Sequence, residues 1–198
     1  MTKDQIIASF KRLSHHLSVK DVRAEIGVVG GAAMVLAYDA RSATKDVDAI
    51  FKPSSEVREA SRAVADEMNL SQDWLNDAVK GFLPGNPKER ETVFEEMSLL
   101  VWVPETEYLL AMKALAARLD TNDSKDLRFL IKEAQVKTAE EVFDIVQKYY
   151  PRREVPAKTK FFVEELFESG LASFVDGYGI PLNEERVNGA TRIRKPSE

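Results

Sequence analysis

Two adjacent glycines, Gly30 and Gly31, stand between a β-branched run and an alanine-rich run. After a polar loop comes an acidic triplet, Asp46-Val47-Asp48. This order restricts the fold sharply. Residues 24–29 read as a short strand, and residues 32–38 read as a helix. Only a backbone-permissive pair allows so abrupt a change of direction between them. Residues 39–45 form a loop, and the alternating apolar positions of 47–51 predict a second strand. A strand repeats every two residues, so Asp46 and Asp48 face the same side, roughly 7 Å apart. Carboxylates so placed repel each other, and a divalent cation relieves the repulsion. Such pairs serve metal-assisted phosphoryl transfer. The glycine turn allows close approach of a ligand to the backbone, and the helix that follows offers N–H donors to phosphate. Each element also has a plainer reading: Gly-Gly as a tight turn, Asp-x-Asp as the solvent side of an edge strand. The glycines form neither a Gly-x-Gly-x-x-Gly fingerprint nor a P-loop.

Composition narrows the chemistry. The 198 residues contain no cysteine, so disulfides, thiolate zinc sites and a cysteine nucleophile are excluded. The histidines are His15 and His16 alone, which excludes a multi-histidine metal centre. Their place near the end of a helix is explained by the dipole. Any metal is held mainly by oxygen, which points to Mg2+ or Mn2+. The apolar share of 44% and charged share of 31% are those of a folded globular chain. There is no run of the roughly 20 apolar residues that a membrane span requires. Nor is there a signal-type apolar core near the start, so the expected location is cytoplasmic. The net charge of −5 argues against a broad surface for coating nucleic acid and leaves room for a local basic patch.

The remaining segments fill out an α+β fold. Thr2 with Gln5 predicts a capped first helix whose buried face is Ile6, Phe10, Leu13 and Leu17. A helix after Pro53 carries Val57, Ala60, Val64 and Met68 on one face. Residues 73–79 read as a short helix and 81–88 as loop. Residues 97–103 read as a strand buried on both sides. Beyond Pro104 the pattern is helical at about 105–119, 124–135, 139–149 and 157–169. Thr138 with Glu141 forms a capping box, and Pro151 stops the third of these helices. The expected organisation is a small mixed sheet with helices over 1–104, a helical subdomain over 105–176 and a basic tail over 177–198.

Strand, Gly-Gly, helix, loop and Asp-x-Asp strand, taken together, resemble the nucleotidyltransferase superfamily that includes polymerase β and kanamycin nucleotidyltransferase. The stretch Arg41-Ser42-Ala43-Thr44-Lys45-Asp46-Val47-Asp48 is most similar to the branch of AbiEii-type and MenT-type toxin nucleotidyltransferases. The helix around Lys113 resembles that branch, as do Ala116-Ala117-Arg118 and Asp123-Ser124-Lys125-Asp126. Trp74-Leu75-Asn76-Asp77 resembles a recurrent feature of some members. The likeness spans roughly residues 25–135.

This resemblance implies transfer of a nucleoside monophosphate from an NTP to an acceptor hydroxyl. Asp46 and Asp48 are the expected metal ligands. Gly30, Gly31, Arg41, Thr44 and Lys113 are the expected nucleotide contacts. Lys113 and Asp126 join Asp46 and Asp48 as catalytic candidates. A third metal carboxylate is expected from an adjacent strand, with Glu96, beside Glu95, as the nearest choice. Expected partners are an NTP, a tRNA or other acceptor, and an antitoxin protein, with no membrane. A tRNA acceptor calls for basic groups near the cleft, such as Arg152, Arg153, Lys158, Lys160 and the tail.

Other readings stay open from the residues alone. Lys113 interrupts an apolar stretch and so either snorkels to water or meets an anion. Asp123 can cap the next helix, with Asp126 favoured by its dipole. Arg118 and Arg128 fit phosphate contacts or a solvated helix face. A small-molecule nucleotidyltransferase of the antibiotic-modifying kind, and an inactive nucleotide-binding protein of the same fold, are the rival functions.

Overall fold

The computed structural model describes residues 1–116 and 121–168. The elements run α1 (Lys3–Val19), β1 (Ala24–Val28), α2 (Gly30–Leu36), β2 (Val47–Lys52), α3 (Ser54–Met68) and β3 (Leu75–Asn76). A 3-10 turn (Ala78–Phe82), β4 (Arg90–Glu96) and β5 (Leu99–Pro104) follow. The helices α4 (Thr106–Ala116), α5 (Thr121–Glu133), α6 (Ala139–Tyr149) and α7 (Ala157–Glu168) complete the described chain. The architecture is α+β, as the sequence predicts.

One mixed sheet of order β3-β2-β1-β5-β4 organises the N-terminal half. The central strand β1 pairs antiparallel with β2 and parallel with β5. Helices α1 and α3 pack together against one face of this sheet. On α1, Ile6, Phe10, Leu13 and Leu17 are all fully buried. Its start is a complete capping box: Thr2 Oγ1 accepts from Gln5 N, and Gln5 Oε1 accepts from Thr2 N at 2.9 Å. Helix α3 ends on Asn69 in the left-handed region at φ 53°, which a short polar side chain tolerates. On the opposite face the Trp102 ring lies flat against Gly27, where any Cβ would enter the ring. Arg90 stacks on that ring at 4.3 Å, and both Arg90 and Trp102 donate to Glu25.

Three segments differ from the sequence-based expectation. Residues 73–79 do not form the expected helix, and of them only Ala78 and Val79 enter the 3-10 turn. Trp74 is buried with its indole N–H on the Ser61 carbonyl, and Leu75 and Asn76 pair in parallel with Val47 and Asp48. That long-range pairing outweighs local helical propensity. Residues 90–96 form an edge strand that the charged pattern Arg-Glu-Thr-Val-Phe-Glu-Glu conceals, since edge strands carry charge to block further pairing. Met97, expected inside the buried strand, is 85% exposed at the β4–β5 hairpin.

The helical half follows the prediction closely. Helix α6 spans the expected residues. Thr138 Oγ1 accepts from Glu141 N, while the Glu141 carboxylate reaches Lys137 N instead of closing the box on Thr138. Helix α4 is the core of this half, with Tyr108 to Met112 buried, and it packs on α5 and α6. Asp123 lies within the first turn of α5, not ahead of it as a cap. The tail and Arg118 lie outside the described residues. Among the described residues no helix is long and apolar enough to cross a membrane.

Candidate active site

The glycine turn and the acidic pair converge at one end of the sheet. Val29, just beyond β1, donates its N–H to the Asp48 carbonyl at 2.9 Å, which locks the turn to β2. Gly30 has φ +64°, and a Cβ there would lie 3.0 Å from Asp48 Oδ2. A Cβ on Gly31 would lie 2.7 Å from Thr44 Oγ1 and 3.1 Å from Arg41 Nη1. Both glycines are therefore required by what crowds them, and the crowding groups are Arg41, Thr44 and Asp48. Thr44 Oγ1 also donates to the Asp46 carbonyl at 3.2 Å, which fixes the loop leading into β2.

Asp48 is half-buried. Burial pushes its carboxyl above the ordinary range, and the charge of Asp46 pushes it further. The Asn76 side chain and the charge of Lys113 act in the other direction. Asn76 is the register partner of Asp48 across the β2–β3 pair, and its Oδ1 accepts from Ala78 N at 3.2 Å. The amide is thus oriented by the start of the 3-10 turn while its other end supports the carboxylate.

Behind the turn lies a partly buried ion network centred on the buried Asp126. Arg41 donates through Nε and Nη2 to the two oxygens of Asp126 at 2.6 and 2.5 Å. Lys113 Nζ sits 2.7 Å from Asp123 and 2.8 Å from Asp126. Asp126 is 2% exposed. Its place is that of an anchor beneath two cations, and its contacts are with Arg41 and Lys113. The fork leaves Nη1 of Arg41 toward the glycine turn.

A cleft of about 170 Å³ opens beside these groups, and Gly30, Gly31, Asp48 and Lys113 line it. Phe82 and Met112 are among its apolar lining residues. The structure brings Gly30, Gly31, Arg41, Thr44, Asp46, Asp48, Lys113 and Asp126 into one neighbourhood. Glu96 is not part of it. In the sheet register Glu96 faces Leu99, which pairs with Ala24 at the start of β1, whereas the turn follows the end of β1. Both Glu95 and Glu96 are exposed at the far end of the sheet, because the hairpin carries β4 away from the cleft.

The donor set can be tested for a divalent cation on its own chemistry. Among the described residues no group of three or more His, Asp or Glu forms a metal cage. Mg2+ does not require one, since it is held by one or two carboxylates with phosphate and water filling its octahedron. Arg41 and Lys113 are engaged by carboxylates of α5, and at Asp48 burial and the charge of Asp46 prevail over the charge of Lys113. An anionic triphosphate placed there needs a cation between. The pair therefore fits Mg2+ or Mn2+.

Two groups lie beyond what the sequence reading assigned to the site. Asn76 stands out only through its motif likeness, since its role depends on parallel pairing between distant segments. Phe82 carries no local signal, because its place follows from contacts with Tyr150 and Arg153. Of the basic groups expected near the cleft, Arg153 reaches its wall through Phe82 at 4.9 Å. Lys158 and Lys160 are exposed on α7.

Comparison with known proteins agrees with this geometry. No curated protein and no solved structure matches the chain. Residues 5–161 match a family described as nucleotidyltransferase of unknown function (DUF6036), a span that includes the glycine turn, the acidic pair, Lys113 and Asp126. The chain therefore belongs to this nucleotidyltransferase family.

Proposed function

We propose that the protein transfers a nucleoside monophosphate from an NTP to an acceptor hydroxyl, and that RNA, with tRNA foremost, is the acceptor. The observation that carries this reading is the meeting of Asp48, repelled by Asp46, with the Gly30-Gly31 turn and Lys113 around one cleft. In the reaction the acceptor oxygen bonds to the α-phosphorus as the bond to the bridging oxygen breaks, and pyrophosphate leaves. A carboxylate of the Asp46–Asp48 pair receives the hydroxyl proton. Gly30 and Gly31 let the phosphates approach the backbone, and Arg41 Nη1 and Lys113 face them with little reorganisation because Asp126 already fixes both side chains. A divalent cation held by Asp46 and Asp48 supplies charge neutralisation for the phosphates. Most of the rate comes from alignment and electrostatics, as in phosphoryl transfer generally.

The likeness of the Arg41–Asp48 stretch to AbiEii-type and MenT-type enzymes supports a toxin role with a protein antitoxin. The lack of a third acidic ligand among the described residues favours a second reading, nucleotide binding without turnover. One experiment separates these readings. Each α-labelled NTP is incubated with Mg2+ and total tRNA, beside a D46A/D48A control. Label in RNA that depends on the aspartates supports the transferase. NTP binding with no label in RNA moves the reading to another acceptor or to the binding-only protein.

A further inference from the structure

Two chemically distinct sets of residues line the cleft: Gly30, Gly31, Asp48 and Lys113, and an apolar set that includes Val79, Phe82, Leu109, Met112 and Leu130. We infer that this apolar lining takes the nucleobase of the NTP by stacking on Phe82, with no hydrogen-bond reading of the base edge. The inference rests on the nucleotidyl-transfer reading and specifies its substrate preference.

Size comes first. Pockets that enclose a whole drug-sized ligand measure roughly 300–1,000 Å³, and this cleft measures about 170 Å³. It encloses part of a nucleotide. The glycines, Asp48 and Lys113 suit the phosphates, which leaves the apolar lining for the base.

Polarity comes second. Apart from Asp48 and Lys113, every side chain lining the cleft among the described residues is apolar. Two carbonyls of the neighbouring backbone are turned to the helical half: Tyr150 Oη donates to Phe82 O and Tyr108 Oη to Gly85 O, each at 2.8 Å. The wall is left with shape and an aromatic face to offer. Phe82 is half-buried and braced from behind, with the Arg153 guanidinium 4.9 Å from its centroid and the Tyr150 ring at 6.1 Å, inclined 50°. A braced aromatic ring is a stacking surface, and stacking tolerates every base because each has a π-face.

The test is calorimetric titration of the full chain, with Mg2+, against ATP, GTP, CTP, UTP and inorganic tripolyphosphate. The expected result is four NTP affinities within about tenfold of one another, all tighter than tripolyphosphate. F82A is expected to weaken every NTP by roughly tenfold or more, the usual loss of one stacked base, with tripolyphosphate unchanged. F82L keeps the apolar bulk without the aromatic face and is expected to show the same loss with wild-type melting. A single NTP preferred by more than about tenfold overturns the inference. So does equal loss of NTP and tripolyphosphate in F82L, or no loss in either variant. NTPs that bind no better than tripolyphosphate sink the inference and leave the phosphate end standing. Failure of the wild-type chain to bind any of the five probes overturns both readings.

Discussion

Arg41 closes a two-bond fork on Asp126, joining the loop before β2 to helix α5 across 85 positions of sequence. Lys113 meets the same carboxylate from α4. Removing one member of a buried ion network leaves the others uncompensated, at a typical cost of about 3–5 kcal/mol. D126A is expected to fall at the lower end, about 3 kcal/mol, because Asp123 still engages Lys113. R41K keeps the charge but not the planar fork, and is expected to lose a smaller, measurable amount. Urea unfolding at pH 7 checks both. D126A within 0.5 kcal/mol of the parent, a margin of about the usual size for a neutral surface change, would contradict the network.

Gly31 offers a test with a built-in rescue. Alanine is ordinarily favoured over glycine in a helix by about 1 kcal/mol. Here the new Cβ would lie 2.7 Å from Thr44 Oγ1, and overpacking of that kind costs about 1–3 kcal/mol. G31A is expected to be destabilised and to bind nucleotide more weakly. In the T44A background the same change should cost clearly less, since the hydroxyl is gone and the remaining close contact is Arg41 Nη1 at 3.1 Å. Melting temperatures of the four chains in this cycle decide the matter, and equal effects of G31A in both backgrounds would refute the contact.

Asp48 gives a pH signature. Its carboxyl is raised by burial and then by Asp46, so its folded value exceeds its unfolded one. Stability from this group is full below the unfolded value and is lost as pH rises through the folded one. D48N lacks that loss. It is expected to melt higher than the parent at pH 7, with the gap closing as pH falls into the ordinary carboxylate range, and to be inactive in transfer. Mg2+ should raise the melting temperature of the parent and leave D48N unchanged. A variant that melts lower at pH 7 would show that the carboxylate is not under repulsion.

The glycine turn and the strand that carries Asp48 were legible because strand period and turn geometry are local. Glu96 was misplaced for a reason equally local. It is near in sequence to a strand that reaches the site, but the hairpin turns β4 so that its acidic end points away. Asn76 and Phe82 were not legible as site residues. Asn76 gains its position from a parallel pairing with β2, and Phe82 from a tyrosine 68 residues downstream. Lys113 was visible as an oddity, a cation in an apolar helix, while its partners on α5 depend on how α4 and α5 pack.

Glu105 is the group that holds the segment before β4. Its carboxylate accepts from Lys88 N, Glu89 N and Tyr149 Oη. Burial alone would raise its carboxyl, but these donors prevail and hold it below the usual range. A depressed acid contributes stability above its unfolded value, and loses it as pH falls through the folded one. E105Q is expected to cost about 1.5–3 kcal/mol at neutral pH, the range of hydrogen bonds to a charged group. The deficit should shrink in acid as the parent protonates. Denaturant midpoints at pH 7 and below the carboxylate range test this, and a deficit that does not change with pH would count against it.

The tyrosine bonds to the carbonyls of Phe82 and Gly85 also set an order of events during synthesis. Both aspartates and both glycines leave the ribosome well before Tyr108 and Tyr150 do. Until α4 emerges, the segment from Ala78 to Lys88 has no tyrosine to hold its carbonyls, and the bond to the Phe82 carbonyl waits for Tyr150 at the end of α6. The nascent chain therefore carries its acidic pair early and completes its cleft late, only when the helical half has been made.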